Sequence, residues 1–548
     1  MSEAAAGKPA EVSPKELRLV VTAASLGTVF EWYDFFVYGT LAALLGKLFF
    51  PAGNETAAFL SSLAIFGAGF VVRPFGALVF GALGDIVGRK YTFLVTITLM
   101  GVATAGIGFL PTFEDIGIAA AVLLLILRLL QGLAIGGEYG GAATYVAEHA
   151  TQGRRGYFTS YIQATATIGL FLSLAVVSSC QLLLGEEAFN AWGWRIPFLL
   201  SLLLLAISIW IRLKLNESPV FKAMKEEGRN SKSPIRDSFT KWPNLKIVLI
   251  AFGGVCIGQG VLWYTGNFYA MLFMQQVLGV APLTTYALVA FALFAGMGLV
   301  IFFGWLSDRI GRKWLMMGAC LLGVITIQPT YHLLAGAVNP QLMAANEASP
   351  VTLSADPTSC GVVIFGKPST ACQKARDMLS RAGIVFSVTD AAAGAPAEVT
   401  IGGAGGGQRL ALTDAFPDTE RKAVRAALNA AGFPEKADAS LMNWPLAIAM
   451  ITWLVTMAAM IYGPIAAFLV ELFPTRIRYT SLSLPYNVSN GIIGGLQPLV
   501  SFGIVTATGD IFAGLWYPIA VAAICFIVGA IFLPETKDRT LDEDPHAA

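Results

Sequence analysis

One phrase is spelled twice in this chain, and a duplicated helical architecture follows from it. Gly84-Asp85-Ile86-Val87-Gly88-Arg89-Lys90 is answered by Ser307-Asp308-Arg309-Ile310-Gly311-Arg312-Lys313, and each copy lies between two long apolar segments. A second pair of charged positions repeats further on. Glu148 stands seven residues before Arg155, and Glu471 stands seven before Arg478. Charged elbows recurring between apolar runs mark a duplicated set of membrane helices. From Asp85 to Glu148 is 63 residues and from Asp308 to Glu471 is 163, so the second half carries a net insertion of 163 − 63 = 100 residues.

Of the 548 residues 56% are hydrophobic and 13% charged, too apolar a balance for a soluble protein of this length. Apolar runs of about 20 residues or more fall near 19–45, 57–83, 91–110, 116–147, 157–184, 194–213, 246–275, 284–306, 314–336, 444–470, 481–505 and 513–533. They predict an all-α membrane protein of twelve transmembrane helices, six per half. An even number puts both termini on one side. Arg89, Lys90, Arg154, Arg155, Arg309, Arg312, Lys313, Arg476 and Arg478 mark that side as the cytoplasm by the positive-inside rule. The expected organisation is a cytoplasmic tail (1–18), a first six-helix bundle (19–213), a lysine-rich cytoplasmic linker (214–245), helices 7–9 (246–336), an outward-facing insertion (337–443), helices 10–12 (444–533) and a second cytoplasmic tail (534–548). The first apolar segment is too long, and too interrupted by Glu31 and Asp34, to be a cleaved signal peptide.

The insertion reads as a small α/β module. Gly361–Phe365, Ile384–Thr389 and Glu398–Ile401 are strand-like, and Ala371–Ala382 and Thr419–Ala431 are helical. Cys360 and Cys372 are the only cysteines outside the apolar runs. An isolated pair outside the cell most often forms one disulfide, and their spacing is not that of a C-x-x-C redox motif. Because removing 100 residues restores the elbow spacing of the first half, the twelve-helix core is expected to be complete without the module.

Gly81-x-x-Gly84-Asp85-x-x-Gly88-Arg89-Lys90 and its second copy resemble the loop signature of the major facilitator superfamily. Glu31-Trp32-Tyr33-Asp34-Phe35, Arg73-Pro74-Phe75-Gly76, Arg128-x-x-Gln131-Gly132, Gly136-Gly137-Glu138-Tyr139, Glu217-Ser218-Pro219-Val220-Phe221 and Pro534-Glu535-Thr536-Lys537 are similar to the metabolite:proton symporters, the relatives of shikimate, α-ketoglutarate, citrate and proline/betaine permeases. The resemblance covers both six-helix halves and not the insertion. Ile86 stands where the first copy would carry a basic residue. The resemblance implies a cytoplasmic gate built from Gly84, Asp85, Arg89, Lys90, Glu148 and Arg155 in the first half and Asp308, Arg309, Arg312, Lys313, Glu471 and Arg478 in the second. A carboxylate just past a helix end can accept charge-assisted hydrogen bonds and face a neighbouring helix N-terminus, which suits Asp85 and Asp308 to a latch.

Charges inside the helices point to proton coupling. An ionised group near the bilayer centre costs roughly 2.5–3.5 kcal/mol on insertion scales. The first half nevertheless holds Glu31, Asp34, Arg73, Arg128 and Glu138, three acids against two bases, so that one bound proton would neutralise the set. Glu31, Asp34 and Tyr38 share one helix face, as do Arg128, Gln131 and Tyr139. An Asp34–Arg128 pair across helices 1 and 4 is expected, and the resemblance to sugar and metabolite symporters makes Asp34 the candidate proton carrier. The glycines Gly132, Gly136 and Gly140 read as a close-packing stripe. In the second half Gln259, Trp263 and Asn267 on helix 7, with Asn487 and Asn490 on helix 11, offer groups that could orient a substrate alongside Arg73, Arg128, Gln131 and Tyr38.

No P-loop, metal cluster or nucleophile triad is visible, so no ATP, nucleic acid, metal or cofactor is expected and the chain does not read as an enzyme. Its partners would be a small molecule, protons and the lipid bilayer. The expected function is import of a small organic acid with protons by alternating access at the inner membrane. A zwitterionic osmolyte symporter such as one for proline or betaine is the alternative, and a membrane nutrient sensor using the outward module is a third reading.

Overall fold

The computed structural model describes residues 14–51, 55–86, 89–137, 139–213, 234–363, 368–402, 407–474 and 477–541. The apolar runs form helices α1 (Pro14–Thr40), α2 (Glu55–Val71, continued by Arg73–Ile86), α3 (Arg89–Phe109), α4 (Ile118–Gly136, continued by Tyr139–His149), α5 (Arg155–Leu184) and α6 (Arg195–Leu199, continued by Ser201–Leu213). The second half supplies α7 (Trp242–Gln276), α8 (Pro282–Ile310), α9 (Lys313–Val338), α10 (Trp444–Leu472), α11 (Arg478–Thr508) and α12 (Ala513–Phe532). Among the described residues nine helices are long and apolar enough to cross a membrane, or ten if Glu186–Gly193 and Arg195–Ile211, bent by 48° at their junction, make one span.

Small residues set how closely these helices approach. A methyl group at Gly132 would collide with the backbone of Gly69, and one at Gly136 with the backbone of Arg73, so α4 and α2 pack main chain to main chain. The same device joins the halves, where Gly156 and Ser160 of α5 meet Gly304 of α8. Two helices are irregular. α7 contains wide π turns at Phe252–Cys256 and Thr265–Tyr269, and α11 contains one at Ser489–Gly494. Such turns concentrate at functional sites because they rotate side chains out of α-helical register.

The segment between α9 and α10 folds around a four-stranded sheet of β1 (Val351–Ala355), β2 (Phe386–Asp390), β3 (Ala397–Ile401) and β4 (Gln408–Leu412), in the order β2-β1-β3-β4. β1 and β2 run parallel, and the other two pairings are antiparallel. Helices Ala371–Arg381 and Asp418–Ala430 cover the sheet, burying Cys372, Ala375 and Leu379 from one and Val424, Ala427 and Leu428 from the other. Of the strand expected at Gly361–Phe365, Gly361–Val363 lies outside regular structure and the rest lies outside the described residues; the first described strand is instead Val351–Ala355. A disulfide joins Cys360 to Cys372, whose Cα atoms are 5.1 Å apart, and ties the chain after β1 to the start of the following helix.

The module is fastened to the second half. Asn339 Nδ2 donates to Leu278 O (2.9 Å), Ala437 N to Gly279 O (3.1 Å), Phe386 N to Gly509 O (3.2 Å) and Arg376 Nη2 to Ala507 O (2.9 Å). These acceptors lie just beyond α7 and at the end of α11. The module therefore sits at the end of the bundle opposite Asp308 and Glu471.

Candidate substrate and proton site

Between the halves, α2 and α4 present two guanidinium groups that are fully buried. Arg128 Nη1 donates to Gln131 Oε1 at 2.7 Å and to Phe35 O at 3.3 Å, while its Nε and Nη2 have no hydrogen-bond partner. Its guanidinium lies over the rings of Phe35 (4.1 Å) and Tyr38 (4.4 Å). Arg73 Nε donates to Asn487 Oδ1 of α11 at 3.1 Å, and its Nη1 and Nη2 are likewise buried without a partner. It lies 5.4 Å from the Trp32 ring and 5.5 Å from that of Phe70. Cation–π contact stabilises such a charge without using its N–H donors, which stay available to an anionic oxygen.

Asp34 is buried on α1, and Ser201 of α6 donates its hydroxyl to Asp34 Oδ1 at 2.6 Å. The expected Asp34–Arg128 ion pair is not formed. The ring faces of Phe35 and Tyr38 occupy the side of Arg128 that meets α1, and the carboxylate turns towards α6 instead. Gln131 joins the two indirectly, donating to Thr104 Oγ1 at 2.6 Å and to the main-chain carbonyl of Asp34 at 3.5 Å. Glu31 is buried on the same helix. Glu138 lies outside the described residues.

The second half closes the site with aromatic and amide groups. Trp263 stacks on Phe36 at 5.2 Å, Tyr139 on Tyr486 at 3.6 Å, and Tyr486 donates to the Tyr462 hydroxyl at 3.4 Å. Asn490 donates to Gln259 Oε1 at 2.8 Å, linking the π turn of α11 to the stretch of α7 between its two π turns. Several expected substrate ligands are engaged within the fold. Asn487 holds Arg73 and donates to Gly136 O at 3.1 Å, Asn267 donates to Trp263 O at 2.7 Å, and Tyr38 donates to Ser62 O at 3.1 Å. Ser201, Thr104, Tyr462 and Tyr486 were not legible in the sequence, since no spacing connects residues from such distant helices.

At the other end of the bundle the repeated charges form a latch. Arg155 Nη1 meets Glu471 Oε1 at 3.4 Å, and Arg478 Nη1 meets Glu148 Oε1 at 3.7 Å, so each arginine of the repeat pairs with the glutamate of the opposite half. Arg312 reaches Glu471 at 2.7 Å and Asp308 at 3.3 Å. Asp308 also accepts from the backbone N–H groups of Gly156 and Tyr157, both at 2.8 Å, thereby capping the N-terminus of α5 from across the halves. The side chains of Gly84, Asp85, Arg89 and Lys90 lie outside the described residues. Arg309 stacks on Trp305 at 3.9 Å, and the carbonyl of Arg309 accepts from Lys537 Nζ at 3.1 Å.

The segment after α12 completes this latch. Glu535 accepts from the N–H groups of Arg312 (3.0 Å), Lys313 (3.1 Å), Thr536 (2.9 Å) and Lys537 (3.1 Å). Burial pushes the Glu535 carboxyl up, but those backbone donors outweigh it and hold the group below the usual carboxylate range. Thr536 donates to Glu471 Oε2 at 2.9 Å, and Arg155 Nη1 donates to Arg539 O at 2.8 Å. Gly311 adopts φ +102°, and the Glu535 carboxylate lies 2.7 Å from where its Cβ would be. Both facts require glycine in the repeated phrase.

Comparison with known proteins agrees with this architecture. Residues 19–287 and 430–547 match the family described as sugar (and other) transporter. A metabolite transport protein of Haemophilus influenzae is 30% identical over 98% of each chain. The shikimate transporter of Escherichia coli is 34% identical over 56% of this chain and 70% of its own. The proline/betaine transporter of Escherichia coli is 36% identical over 57% of this chain and 64% of its own. A solved structure of the major facilitator superfamily proton:xylose symporter superposes with a TM-score of 0.60 at 15% identity, over 97% of this chain and 99% of the other. The chain belongs to the sugar (and other) transporter family of the major facilitator superfamily, as a multi-pass membrane protein that acts on small molecules and is not an enzyme.

Proposed function

We propose that this protein is a proton-coupled symporter that imports a small mono- or dicarboxylate by alternating access. The observation that carries the reading is the pair of buried guanidinium groups, Arg73 and Arg128, each with two nitrogen atoms lacking a partner. A carboxylate fits such donors in a planar, bidentate geometry that a sugar hydroxyl does not offer. Asp34, buried one residue from the Phe35 ring that Arg128 stacks on, is the proposed proton carrier. All of α1–α12 are proposed as spans, with both termini and the latch in the cytoplasm, the α/β module outside, and the inner membrane as the location. The latch would close the cytoplasmic side in the state described here and open as the halves rock.

A second reading, a proton/osmolyte symporter, rests on the Trp32 ring beside Arg73, on the Phe36 and Trp263 rings stacked on from it, and on the similarity to the proline/betaine transporter. Aromatic faces suit the cationic end of a zwitterion. Coupling stoichiometry separates the two. A monoanion carried with one proton moves no net charge and gains only the pH term, about 1.4 kcal/mol per unit. A zwitterion carried with one proton also gains about 2.3 kcal/mol per 100 mV. Uptake by proteoliposomes with pH gradient and potential imposed separately decides between them. Accumulation of carboxylates driven by the pH gradient and indifferent to potential is expected. Potential-driven accumulation of betaine without carboxylate uptake would favour the osmolyte reading.

A further inference from the structure

A cavity of about 310 Å³ lies between the halves at the end of the bundle where the α/β module sits. Its volume is that of a small-molecule site. The first half contributes Lys47, the second contributes Gln275 and Gln276, and the module contributes Ser380 and Arg381 from the last turn of its first sheet-covering helix. The exposed Lys47 has no ion-pair partner among the described residues, and Gln275 Nε2 is buried without an acceptor. Arg381 pairs with Asp377, 3.4 Å away, one turn earlier on the same helix. Among the described residues Glu186 is the one acid in the lining, so cations and amide donors predominate there.

A cross-half hydrogen bond forms part of the floor of this cavity. Tyr286 of α8 donates its hydroxyl to the carbonyl of Thr40 in α1 at 3.0 Å, and both residues line the cavity. Thr40 lies two residues, about 3 Å of helical rise, beyond Tyr38, whose ring covers Arg128.

We propose that this cavity is a vestibular binding site for an organic carboxylate, completed by Arg381 of the module, through which the substrate passes before it reaches Arg128. The inference rests on the carboxylate reading given above, and it amends the expectation that transport is indifferent to the module. Because the module is anchored to α7 and α11, Arg381 travels with the second half while Lys47 travels with the first. Rocking of the halves therefore brings the two cations together or separates them, so the same motion that opens the floor changes the grip on the anion.

The test combines transport with a readout that does not need it. Lys47→Gln, Arg381→Gln and the double variant are assayed for uptake of 2-oxoglutarate and shikimate as probe carboxylates. KM should rise about fivefold or more with Vmax within twofold, since the central donors are untouched; an unchanged KM in the double variant overturns the proposal. In parallel, Gln276→Cys, in a background where Cys180, Cys256, Cys320 and Cys525 are replaced by Ser, is labelled with methanethiosulfonates carrying either a sulfonate or a trimethylammonium group. The anionic reagent should react faster, the preference should vanish in the double variant, and a probe carboxylate should slow it. Absence of any carboxylate uptake by the wild type counts against the carboxylate reading itself. The labelling then decides the vestibule alone, with protection by an anion supporting it and no charge preference overturning it.

Discussion

Arg128 lies over two ring faces while keeping two nitrogen atoms free, an arrangement only a planar, delocalised cation can adopt. Arg128→Lys retains the charge and loses both the stack and the fork, so Vmax/KM should fall at least tenfold, about 1.4 kcal/mol of interaction. Activity within twofold of wild type in Arg128→Ala would remove this residue from the site. Asp34→Asn should abolish accumulation driven by a pH gradient while sparing counterflow, because an amide mimics the protonated acid and cannot cycle; wild-type accumulation by the variant refutes its role. Glu535 gives a pH prediction outside the membrane. Its folded pKa is depressed, so it stabilises tail docking above the unfolded pKa, and that contribution is lost as pH falls through the folded value. Spin labels attached at Arg309→Cys and Lys537→Cys should lie close together at neutral pH and move apart as pH falls below the ordinary glutamate range. An inter-label distance that is flat across that range contradicts the assignment. Arg73, Arg128 and Asp34 were legible as isolated intramembrane charges. What each of them faces was not, because the partner of a buried group is chosen by tertiary packing that leaves no local trace.

At the scale of elements, the repeat and the apolar runs located the helices well, since both signals are local. The glycine stripe was legible too, and it makes a prediction: Gly132→Ala drives a methyl group into the Gly69 carbonyl, and overpacking of this kind costs roughly 1–3 kcal/mol. A lower melting temperature and lower yield of the purified protein are expected, and unchanged stability would show that α2 and α4 can part without loss. The π turns of α7 and α11 could not be read, because a single wide turn does not alter the apolar period enough to register. In the module, β2 and β3 were near their expected places, whereas β1 and β4 were missed. β4, with mostly exposed residues, shows no alternation to detect, and Val351–Ala355 was overlooked in favour of the more hydrophobic Gly361–Phe365 stretch. The Cys360–Cys372 bridge closes a short loop, so Cys360→Ser should destabilise the module by about 2–3 kcal/mol. Proteolysis confined to 340–442 is the measurement, and equal resistance with and without the bridge contradicts it.

For the whole molecule, the exchange of partners between repeats is the organising fact: Arg155 takes Glu471 and Arg478 takes Glu148. The sequence displayed both pairs, but equal spacing within each half says nothing of which half a side chain will reach. Glu471 holds two buried arginines at once, and removing one member of a buried ion pair costs roughly 3–5 kcal/mol. Glu471→Gln should therefore shift the resting population away from the latched state, seen as faster alkylation of a cysteine placed at Ser307, with a lower Vmax; unchanged alkylation would show that the latch is held elsewhere. The tail's share in that latch also bears on the order in which a ribosome delivers the chain. Arg155 is made early, yet one of its acceptors, the Arg539 carbonyl, follows 384 residues later. A nascent first half can insert and pack, but Arg155 gains its first cross-half acceptor only when Glu471 has been made, and its second only when residues beyond α12 emerge. The complete latch thus forms only once residue 539 has been made, and a chain stopped at 533 should keep the Arg155–Glu471 pair but lack the tail that covers it, leaving that face more open to proteases.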